Sequence, residues 1–515
     1  MLFRFKVLTA LAAVLSVAAA QATIVVPTNS VTIQNAISMA APFEDIIVLP
    51  GLYQEEQIIV DKPVQIYGPN VGIPIDGDRG PEAHLTGAFR IISNSVKIQG
   101  FEMTGGYLDN AAIRRVVFST MSLDNIDVSY NVIHSLNFGV LTIPIHIGSP
   151  IDGLRSHNIR FSHNSIFSGG EGVDWGFSCT AADNVEISFN GSIMASDSIG
   201  PGIKLDACNN SLITANQMFI DISAAPYPEP NGIVVSTFFG PSDGVQITNN
   251  GLYGTNTGIL ANNEGSPLSN LSILNNLIEA PQSTGIQCNK VNGLQVVSNS
   301  IDLTSAPGMF QAGAVIDGCT LASVAKNLVA FRVEEPTGLH YGIQLSAFGA
   351  DLNGVSVVDN EVLKAQYGLI FETDVNVIRS IDVVRNVIEG TEAGLQLQSR
   401  NTSGPNVVAY DTMAINQNHI RGGTYCVNIF GNTVVPRQVA NVALRRNCFE
   451  PYPGYSNVAG VKVWSYPVIP TNGGVIDARM NYWNASNGPG PVGAGSGLGV
   501  STRVDFSKWL KSCPH

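Results

Sequence analysis

Three stretches of the chain carry polar side chains that could act together as acids, bases or ligands. His146 lies in "TIPIHIG", Asp174 in "GVDWG", and Lys204 and Asp206 in "GIKLD". In each stretch apolar residues alternate with polar ones, so a β-strand would point the polar side chains outward. Strands stacked about 4.8 Å apart would bring the four side chains onto one face. We therefore treat them as candidate catalytic residues.

Such a cluster of side chains could perform several kinds of chemistry. Two carboxylates within about 5–10 Å could act as acid and nucleophile or base on a glycosidic bond. The same carboxylates could hold Ca²⁺ through oxygen ligands, with Lys204 as the base or as a charge clamp for a uronate. Glu171 and Trp175 lie close in sequence and are candidate substrate contacts, because an indole can stack on a sugar ring. The alternative is a solvated face whose opposite charges contribute roughly 0–1 kcal/mol.

The same strand position carries amides in later stretches. Gln287 and Gln344 are candidate substrate contacts on this basis. Further outward polar residues on the same face are Asn289, Asp317, Glu372, Gln396, Gln398 and Asn428. A face lined by amides can bind neutral sugars through hydrogen bonds, and it equally suits an inert sheet, so these residues alone do not separate the two.

A repeat must position these residues. Short alternating phrases such as "NVEISFN" recur with a mean period of about 29 residues, which is typical of a solenoid. Each phrase closes on an asparagine: Asn131, Asn164, Asn190, Asn216, Asn250, Asn276, Asn299, Asn327, Asn360, Asn386, Asn418, Asn447 and Asn481.

Each period also contains a glycine followed by alternating apolar residues, and a brief apolar pair after the asparagine. Three short strands per period, with almost no amphipathic helices, predict an all-β fold: a single-stranded, right-handed parallel β-helix of about 14 coils. Inward asparagines would then form a hydrogen-bonded ladder that satisfies buried amides. We also expect the asparagines to take the left-handed backbone of a sharp corner.

The ends of the chain predict a leader, one domain and two caps. Residues 1–22 combine Arg4 and Lys6 with an apolar run and a small-residue cleavage site, as a secretory signal peptide does. The β-helix domain would occupy 23–515. Residues 32–42 have helical spacing and suit an N-terminal cap, and 482–515 suit a C-terminal loop and cap.

The net charge of the chain and its predicted location limit the kinds of partner that we expect. The formal net charge is −13, and it becomes more negative when the leader is removed, which disfavours nucleic acids and anionic membranes. Beyond residues 1–22, no apolar run approaches the length needed to cross a bilayer, so membrane insertion is not expected. We expect a monomer that is secreted, whether extracellular, at the cell surface or periplasmic, with polysaccharide as its partner.

The cysteine spacing suggests disulfides between adjacent coils. Separations of about one coil pair Cys179 with Cys208, Cys288 with Cys319 and Cys426 with Cys448, which leaves Cys513 over. The alternative is that these cysteines are buried thiols. His157 and His163 have no cysteine or acidic partner at metal spacing, so no zinc site is expected.

Two segments give a resemblance for the whole chain. The opening "TIQNAISMAAPFEDIIVLPGLYQEEQIIVDKPVQIYG" and the ending "NYWNASNGPG…VDFSKWL" resemble the pectin-lyase-like right-handed parallel β-helix superfamily. That superfamily includes polysaccharide lyases, polygalacturonases, pectin esterases, mannuronan epimerases, phage tailspikes and adhesins. The polygalacturonase, epimerase and pectate lyase active-site phrases are absent here, so the resemblance implies a fold and assigns no catalytic residue.

The sequence therefore favours a secreted β-helix protein that binds extracellular or cell-wall polysaccharide. Cleavage by a lyase or glycoside hydrolase mechanism is an open alternative, and so is a non-catalytic surface, structural or adhesive role. A groove with converging Asp, Lys or His side chains would favour an enzyme, whereas a smooth face would favour a scaffold.

Overall fold

A computed structural model describes most of the chain after the predicted leader. The described residues are 23–109, 113–135, 141–149, 153–168, 176–194, 200–220, 231–304, 309–332, 338–400, 408–431, 437–456, 458–464, 468–470, 475–490 and 494–514. The leader prediction, 1–22, lies outside them.

The described part of the chain contains one α-helix, Ile33–Met39, at the predicted N-terminal cap. Thr32 begins it by accepting the Asn35 N–H at 3.1 Å. The Glu55 carboxylate accepts two further N–H groups of the first turn, at 2.8 and 2.9 Å. These acceptors satisfy donors that every helix start leaves unpaired. The helix buries the face that contains Ile37, as the sequence spacing predicts.

All other regular structure is β, wound into a parallel solenoid of about 13 turns. The fold class is confirmed. Three columns of strands run along it, and we name them by their sequence. The glycine face follows the glycine phrases: Gln57–Val60, Ala88–Ile91, Ile113–Phe118, Leu141–Ile147, Phe177–Ser188, Ile203–Asn209, Ile233–Ser236, Thr257–Asn262, Thr284–Asn289, Phe310–Asp317, Leu339–Ala347, Glu361–Thr373, Val387–Ser399, Tyr425–Gly431, Ala459–Val463 and Gly497–Val500.

The repeat face carries the alternating phrases that precede each asparagine. Its main strands are Thr23–Val26, Asp45–Val48, Gln65–Tyr67, Val96–Gln99, Asp124–Ser129, Ser156–Ser162, Leu212–Thr214, Gln246–Thr248, Ser272–Leu274, Gln295–Val297, Thr320–Ala325, Leu352–Val358, Ile378–Val384, Val408–Asn416, Arg437–Arg445, Ile476–Asp477 and Val504–Asp505. Short strands beside it are Ser242–Asp243, Leu268–Ser269, Val291–Asn292 and Val468–Pro470. The strand Phe177–Ser188 continues from the glycine face onto this one.

The short face follows each asparagine. Its strands are Gly51–Tyr53, Ala83–Leu85, Glu102–Met103, Val132–Ser135, Ser165–Ser168, Gly191–Met194, Gln217–Ile220, Gly251–Tyr253, Leu277–Glu279, Ser300–Leu303, Leu328–Phe331, His419–Gly422 and Cys448–Pro451. Glu361–Thr373 and Val387–Ser399 begin here and continue onto the glycine face. Outside these columns, Tyr107–Asp109 pairs antiparallel with Ile113–Phe118, and Pro489–Gly490 pairs with Gly497–Val500.

The core is one continuous apolar column inside the coils. Parallel register places like residues over like residues from one turn to the next, as the repeat predicts. One inward column of the glycine face is Ile203, Ile233, Ile259, Ile286, Ala314, Ile343, Leu369, Leu395, Val427 and Val461. All of these side chains are buried.

The predicted asparagine ladder is present over its full length. Each of the thirteen side chains is at most 3% exposed. In each of the twelve steps the Nδ2 donates to the Oδ1 of the next asparagine at 2.9–3.2 Å. The same Oδ1 accepts the backbone N–H of the asparagine before it, at 2.7–3.1 Å.

The corner geometry differs from the expectation. The residue before each asparagine, and not the asparagine, takes the left-handed backbone, with φ between 54° and 61°. These residues are Tyr130, His163, Phe189, Ala215, Asn249, Asn275, Ser298, Lys326, Asp359, Arg385, Gln417, Arg446 and Met480. Left-handed backbone costs roughly 1–2 kcal/mol for a residue with a Cβ. The ladder bonds on the next residue offset that cost, which is why bulky residues are accepted there.

The disulfide also differs from the prediction. Cys448 bonds to Cys513, 65 residues later, instead of to Cys426. The Cys426 thiol is free and contacts the backbone oxygen of Glu450 at 3.2 Å. The bond ties the C-terminal segment to the end of the solenoid, so Cys513 acts as part of the C-terminal cap.

The other predicted pairs are free, buried thiols because the local coils are shorter than the cysteine spacing. The Cα partner of Cys179 is Leu205, three residues before Cys208. Likewise, Ile316 is the partner of Cys288, three residues before Cys319. This pairing prediction was therefore wrong in register.

Within the described ranges, no helix is long and apolar enough to span a bilayer.

The ladder gives a stability prediction. Asn276→Ala removes the acceptor of the Asn250 N–H and side chain, at 3.0 and 2.9 Å, and leaves buried polar groups unpaired. Each such group costs about 1–3 kcal/mol, so we expect unfolding at a clearly lower urea concentration. Asn275→Gly is the matched control, because Asn275 is exposed and glycine tolerates its left-handed backbone. Equal urea midpoints for the two variants would show that the ladder carries no stability.

Candidate functional site

Two of the predicted catalytic residues, His146 and Lys204, lie in one column of the glycine face. His146, Ser178 and Lys204 are successive Cα partners in adjacent coils. His146 is buried, and its Nδ1 lies 3.2 Å from the Ser178 hydroxyl. Burial, reinforced by the positive charge of Arg115, lowers the pKa of His146 to about 3. The imidazole is therefore uncharged at neutral pH.

Asp206 has a structural role that accounts for its position. Its side chain is buried, accepts the Ser236 hydroxyl at 2.9 Å and accepts the Phe239 N–H at 3.0 Å. The Lys204 ammonium lies 3.7 Å away. The carboxylate thus fixes the turn after the next strand of the glycine face.

The same arrangement recurs four coils further on. Asp317 accepts the Ser346 hydroxyl at 2.9 Å and the N–H groups of Phe348 and Gly349 at 2.8 and 3.1 Å. Because two aspartates at equivalent strand positions anchor turns in the same way, turn anchoring explains Asp206 without catalysis.

The remaining predicted residues divide into two groups. Glu171, Asp174 and Trp175 lie outside the described residues, so their roles stay predictions. Gln287 is half-buried on the glycine face, between two apolar side chains of the adjacent coils. Gln287 does not belong to a polar cluster. Gln344 belongs to a polar cluster that lies towards the C-terminal end of the same face.

We call this cluster the amide–aromatic surface. It consists of Tyr341, Gln344, Tyr367, Glu372, Gln396, Gln398, Arg400, Tyr425, Asn428, Lys462 and Trp464. Register aligns the central side chains in one column and the tyrosines in another, at the start of the strands. Five coils contribute, so the surface is about 20 Å long at the usual strand spacing.

A connected chain of side-chain hydrogen bonds crosses this surface. The Trp464 indole N–H donates to the Asn428 Oδ1 at 2.9 Å, and the Asn428 Nδ2 donates to the Gln396 Oε1 at 2.9 Å. The Gln396 Nε2 donates to the Gln398 Oε1 at 2.7 Å. Each amide is thereby oriented by its neighbour, which fixes where donors and acceptors point.

Beside this chain, a buried carboxylate holds an exposed guanidinium. The Glu372 side chain is fully buried, accepts the Gln344 Nε2 at 2.7 Å and forms an ion pair with Arg400. Burial raises the pKa of Glu372, while Arg400 and Gln344 oppose that rise. The Arg400 side chain is 44% exposed, so it presents N–H donors to solvent from a fixed anchor.

An aromatic edge flanks the polar groups. The rings of Tyr341 and Tyr367 meet edge to face with centroids 5.5 Å apart, and Phe310 packs against Tyr341 at 5.4 Å. Burial raises the pKa of Tyr341 to about 12, so it stays a neutral phenol. At the other end, Trp464 is 39% exposed, and the Lys462 ammonium lies 5.1 Å from its ring centroid.

These groups suit binding better than bond cleavage. Oriented amides, phenols and a guanidinium can bond to hydroxyl groups, and exposed aromatic rings can cover the apolar face of a sugar ring. A glycosidase requires two carboxylates that are free to exchange protons or attack. Glu372 is instead buried and committed to Arg400 and Gln344.

Comparisons with known proteins place the chain by fold. No family model matches it, and no curated protein matches it in sequence. A tailspike protein of E. coli bacteriophage HK620, solved in complex with a pentasaccharide, has a TM-score of 0.51 at 12% identity, over 83% of this chain and 74% of that one. PfbA, a surface adhesin of Streptococcus pneumoniae, has a TM-score of 0.40 at 12% identity, over 79% and 87%. This similarity confirms the right-handed parallel β-helix fold that the resemblance in the sequence implies.

Sequence reasoning missed the aromatic edge, Arg400 and the Lys462–Trp464 pair. A signal for the edge was present: a tyrosine stands directly before the apolar phrase in "YGIQL", "YGLIF" and "TYCVN". Alternation alone did not show that Tyr341 and Tyr367 would meet edge to face across adjacent coils. Arg400 follows the end of its strand, where alternation gives no direction.

The buried imidazole gives a pH prediction. The folded-state pKa of His146 lies far below its unfolded value, so between about pH 6.5 and pH 3 the unfolded chain binds a proton that the folded chain does not. This residue's contribution to stability therefore falls as pH falls through that window, by about 3 kcal/mol from pH 7 to pH 4. We expect His146→Gln to remove this part of the pH dependence of the free energy of unfolding.

The control for this measurement is His157→Gln, since the His157 side chain is 47% exposed. Urea unfolding of both variants at pH 7 and pH 4 gives the comparison. A His146→Gln variant that loses as much stability on acidification as the unchanged protein would contradict the prediction.

Proposed function

We propose that the protein is a secreted β-helix protein that binds extracellular or cell-wall polysaccharide through the amide–aromatic surface. The observation that carries this proposal is the hydrogen-bonded chain from Trp464 through Asn428 and Gln396 to Gln398, which orients polar groups beside the exposed Trp464 ring. The HK620 tailspike, which has a similar fold, was solved with a pentasaccharide, and this supports a saccharide ligand.

The order along the surface favours an extended ligand. Trp464, 39% exposed, lies at one end and the half-buried Tyr367 at the other, packed against the buried Tyr341, with amides and the Arg400 guanidinium between them. A chain of several sugar rings would meet stacking surfaces and hydrogen-bonding groups in alternation. A single small sugar would use only part of the surface.

Binding without cleavage is the role we propose. Asp206, in the predicted catalytic cluster, and Glu372, in the amide–aromatic surface, are both buried and paired. Secretion fits the leader-like residues 1–22 and the acidic composition. A monomer would suffice, because all the side chains of the amide–aromatic surface come from one chain.

A glycan array followed by calorimetry tests the proposal. We expect purified protein to bind oligosaccharides more tightly as their length increases. Trp464→Ala should weaken binding of the best ligand by about tenfold or more, equivalent to about 1.4 kcal/mol, because it removes the stacking ring and the donor that orients Asn428. Lys462→Gln should weaken binding less.

The matched control is Phe219→Ala, which removes another exposed aromatic ring, 46% exposed, on the short face. It should leave affinity unchanged. Equal losses for Trp464→Ala and Phe219→Ala, or no loss for Trp464→Ala with the fold intact by circular dichroism, would place binding elsewhere.

Assays of reducing ends and unsaturated products on the same glycans separate binding from cleavage. Turnover that disappears in the Asp174→Asn/Asp206→Asn double variant would support the enzymatic alternative and overturn the proposed non-cleaving role.

A further inference from the structure

The second cluster of chemically active side chains lies at the C-terminal end, far along the sequence from the residues predicted to do chemistry. His419, Cys448, Glu450 and Cys513 each offer one ligand atom, and these four atoms lie within 4.8 Å of one another. The His419 Nε2 is 2.7 Å from a Glu450 oxygen, and the Cys448 Sγ is 3.7 Å from the other. Two sulfurs, an imidazole nitrogen and a carboxylate oxygen form a donor set that zinc prefers.

The fold holds three of these ligands rigidly. His419 and Cys448 directly follow the ladder residues Asn418 and Asn447 and are Cα partners in adjacent strands. Glu450 lies two residues beyond Cys448, so its side chain points to the same side of the strand. The ladder thereby fixes the relative positions of three ligands before any ion binds, which is the preorganisation a metal site needs.

The fourth ligand comes from the C-terminal segment. This segment is docked on the last coil through the Leu510 N–H, which donates to the backbone oxygen of Asn481 at 2.9 Å. Cys513 then reaches Cys448 and forms the disulfide. A disulfide by itself requires neither an imidazole nor a carboxylate beside it, so His419 and Glu450 call for a separate explanation.

The local charges fit a divalent ion. Two thiolates, one carboxylate and a neutral imidazole around Zn²⁺ carry a net charge of −1. The Arg421 guanidinium lies 3.5 Å from Glu450 and offsets part of this charge, and it is shared with Glu389 at 2.8 Å. Cys448 is buried, while the side chains of His419 and Glu450 are 28% and 29% exposed, which gives an ion a path from solvent.

We propose that His419, Cys448, Glu450 and Cys513 form a four-ligand zinc site when the Cys448–Cys513 disulfide is reduced. The C-terminal segment is then held to the solenoid in two ways: by the disulfide under oxidising conditions and by the bound metal ion under reducing conditions. A dithiol supplies two electrons and two protons, becomes a cyclic disulfide and leaves two cysteine thiols. Binding of Zn²⁺ then releases both thiol protons as two Zn–S bonds form. This proposal is independent of saccharide binding and departs from the expectation of no metal site.

Cobalt is the spectroscopic probe for this site. The full-length protein is reduced with a dithiol, exchanged anaerobically into metal-free buffer and titrated with Co²⁺. We expect one equivalent to give visible d–d bands of tetrahedral cobalt together with thiolate-to-cobalt charge transfer, and Zn²⁺ to remove both. The oxidised protein should show neither, because its sulfurs are bonded to each other. Zn²⁺ should also raise the melting temperature of the reduced protein only.

Variants decide whether these four side chains are the ligands. His419→Gln and Glu450→Gln keep both cysteines, so their oxidised forms can be checked for an intact fold. Each should weaken Co²⁺ binding by at least about tenfold, since one of four ligands is lost. Cys288→Ser is the control, because it removes a buried free thiol several coils away from the donor set and should leave binding unchanged.

Three results would overturn the proposal. The first is no tetrahedral cobalt spectrum from the reduced protein. The second is an unchanged spectrum and affinity in both His419→Gln and Glu450→Gln. The third is equal Co²⁺ binding by oxidised and reduced protein, which would place the ion away from Cys448 and Cys513.

Discussion

The buried asparagine ladder is the constraint on which the rest of the structure depends. Stacked strands are free to slip by one residue unless something fixes their register, and a slip would turn every core residue to solvent. Each ladder oxygen accepts two hydrogen bonds from the coil before it, one from the backbone and one from the side chain. These bonds sit in a water-free interior, where an unpaired partner is costly. Register is therefore set at one point in each coil, independently of the length of the coil.

That independence explains how the coils tolerate irregular sequences. Successive ladder asparagines are separated by 23 residues between Asn276 and Asn299 but by 34 between Asn216 and Asn250. The extra residues are accommodated between strands, while the inward columns stay aligned. The columns of outward-facing side chains have the same alignment, but these side chains do not pack in the core. A surface can thus be assembled from one residue per coil, as in the column from Gln344 through Ile370, Gln396 and Asn428 to Lys462.

The sequence predicted what depends on periodicity and missed what depends on lateral packing. The solenoid, the capping helix and the ladder follow from alternation and spacing, and all three are present. Alternation also placed His146 and Lys204 in one column of the glycine face, but it predicted an outward His146 and that side chain is buried. It could not show that Asp206 would be buried by bonds to a serine one coil away, or that a coil would be three residues shorter than the spacing from Cys179 to Cys208. Those facts depend on the length of individual coils and on contacts between coils. A repeat period averaged over the chain contains neither kind of information.

The charge of the molecule constrains how the amide–aromatic surface can select a ligand. With a net charge of −13, long-range attraction favours cations and repels polyanions, so steering cannot bring an acidic polymer to this face. Screening limits that repulsion to roughly 8–10 Å at physiological salt. Arg400 and Lys462 act inside that distance, and the buried Glu372 already offsets the charge of Arg400. Under the proposed function, recognition rests on directional hydrogen bonds and ring contacts, which favours a ligand rich in hydroxyl groups over one defined by its charge.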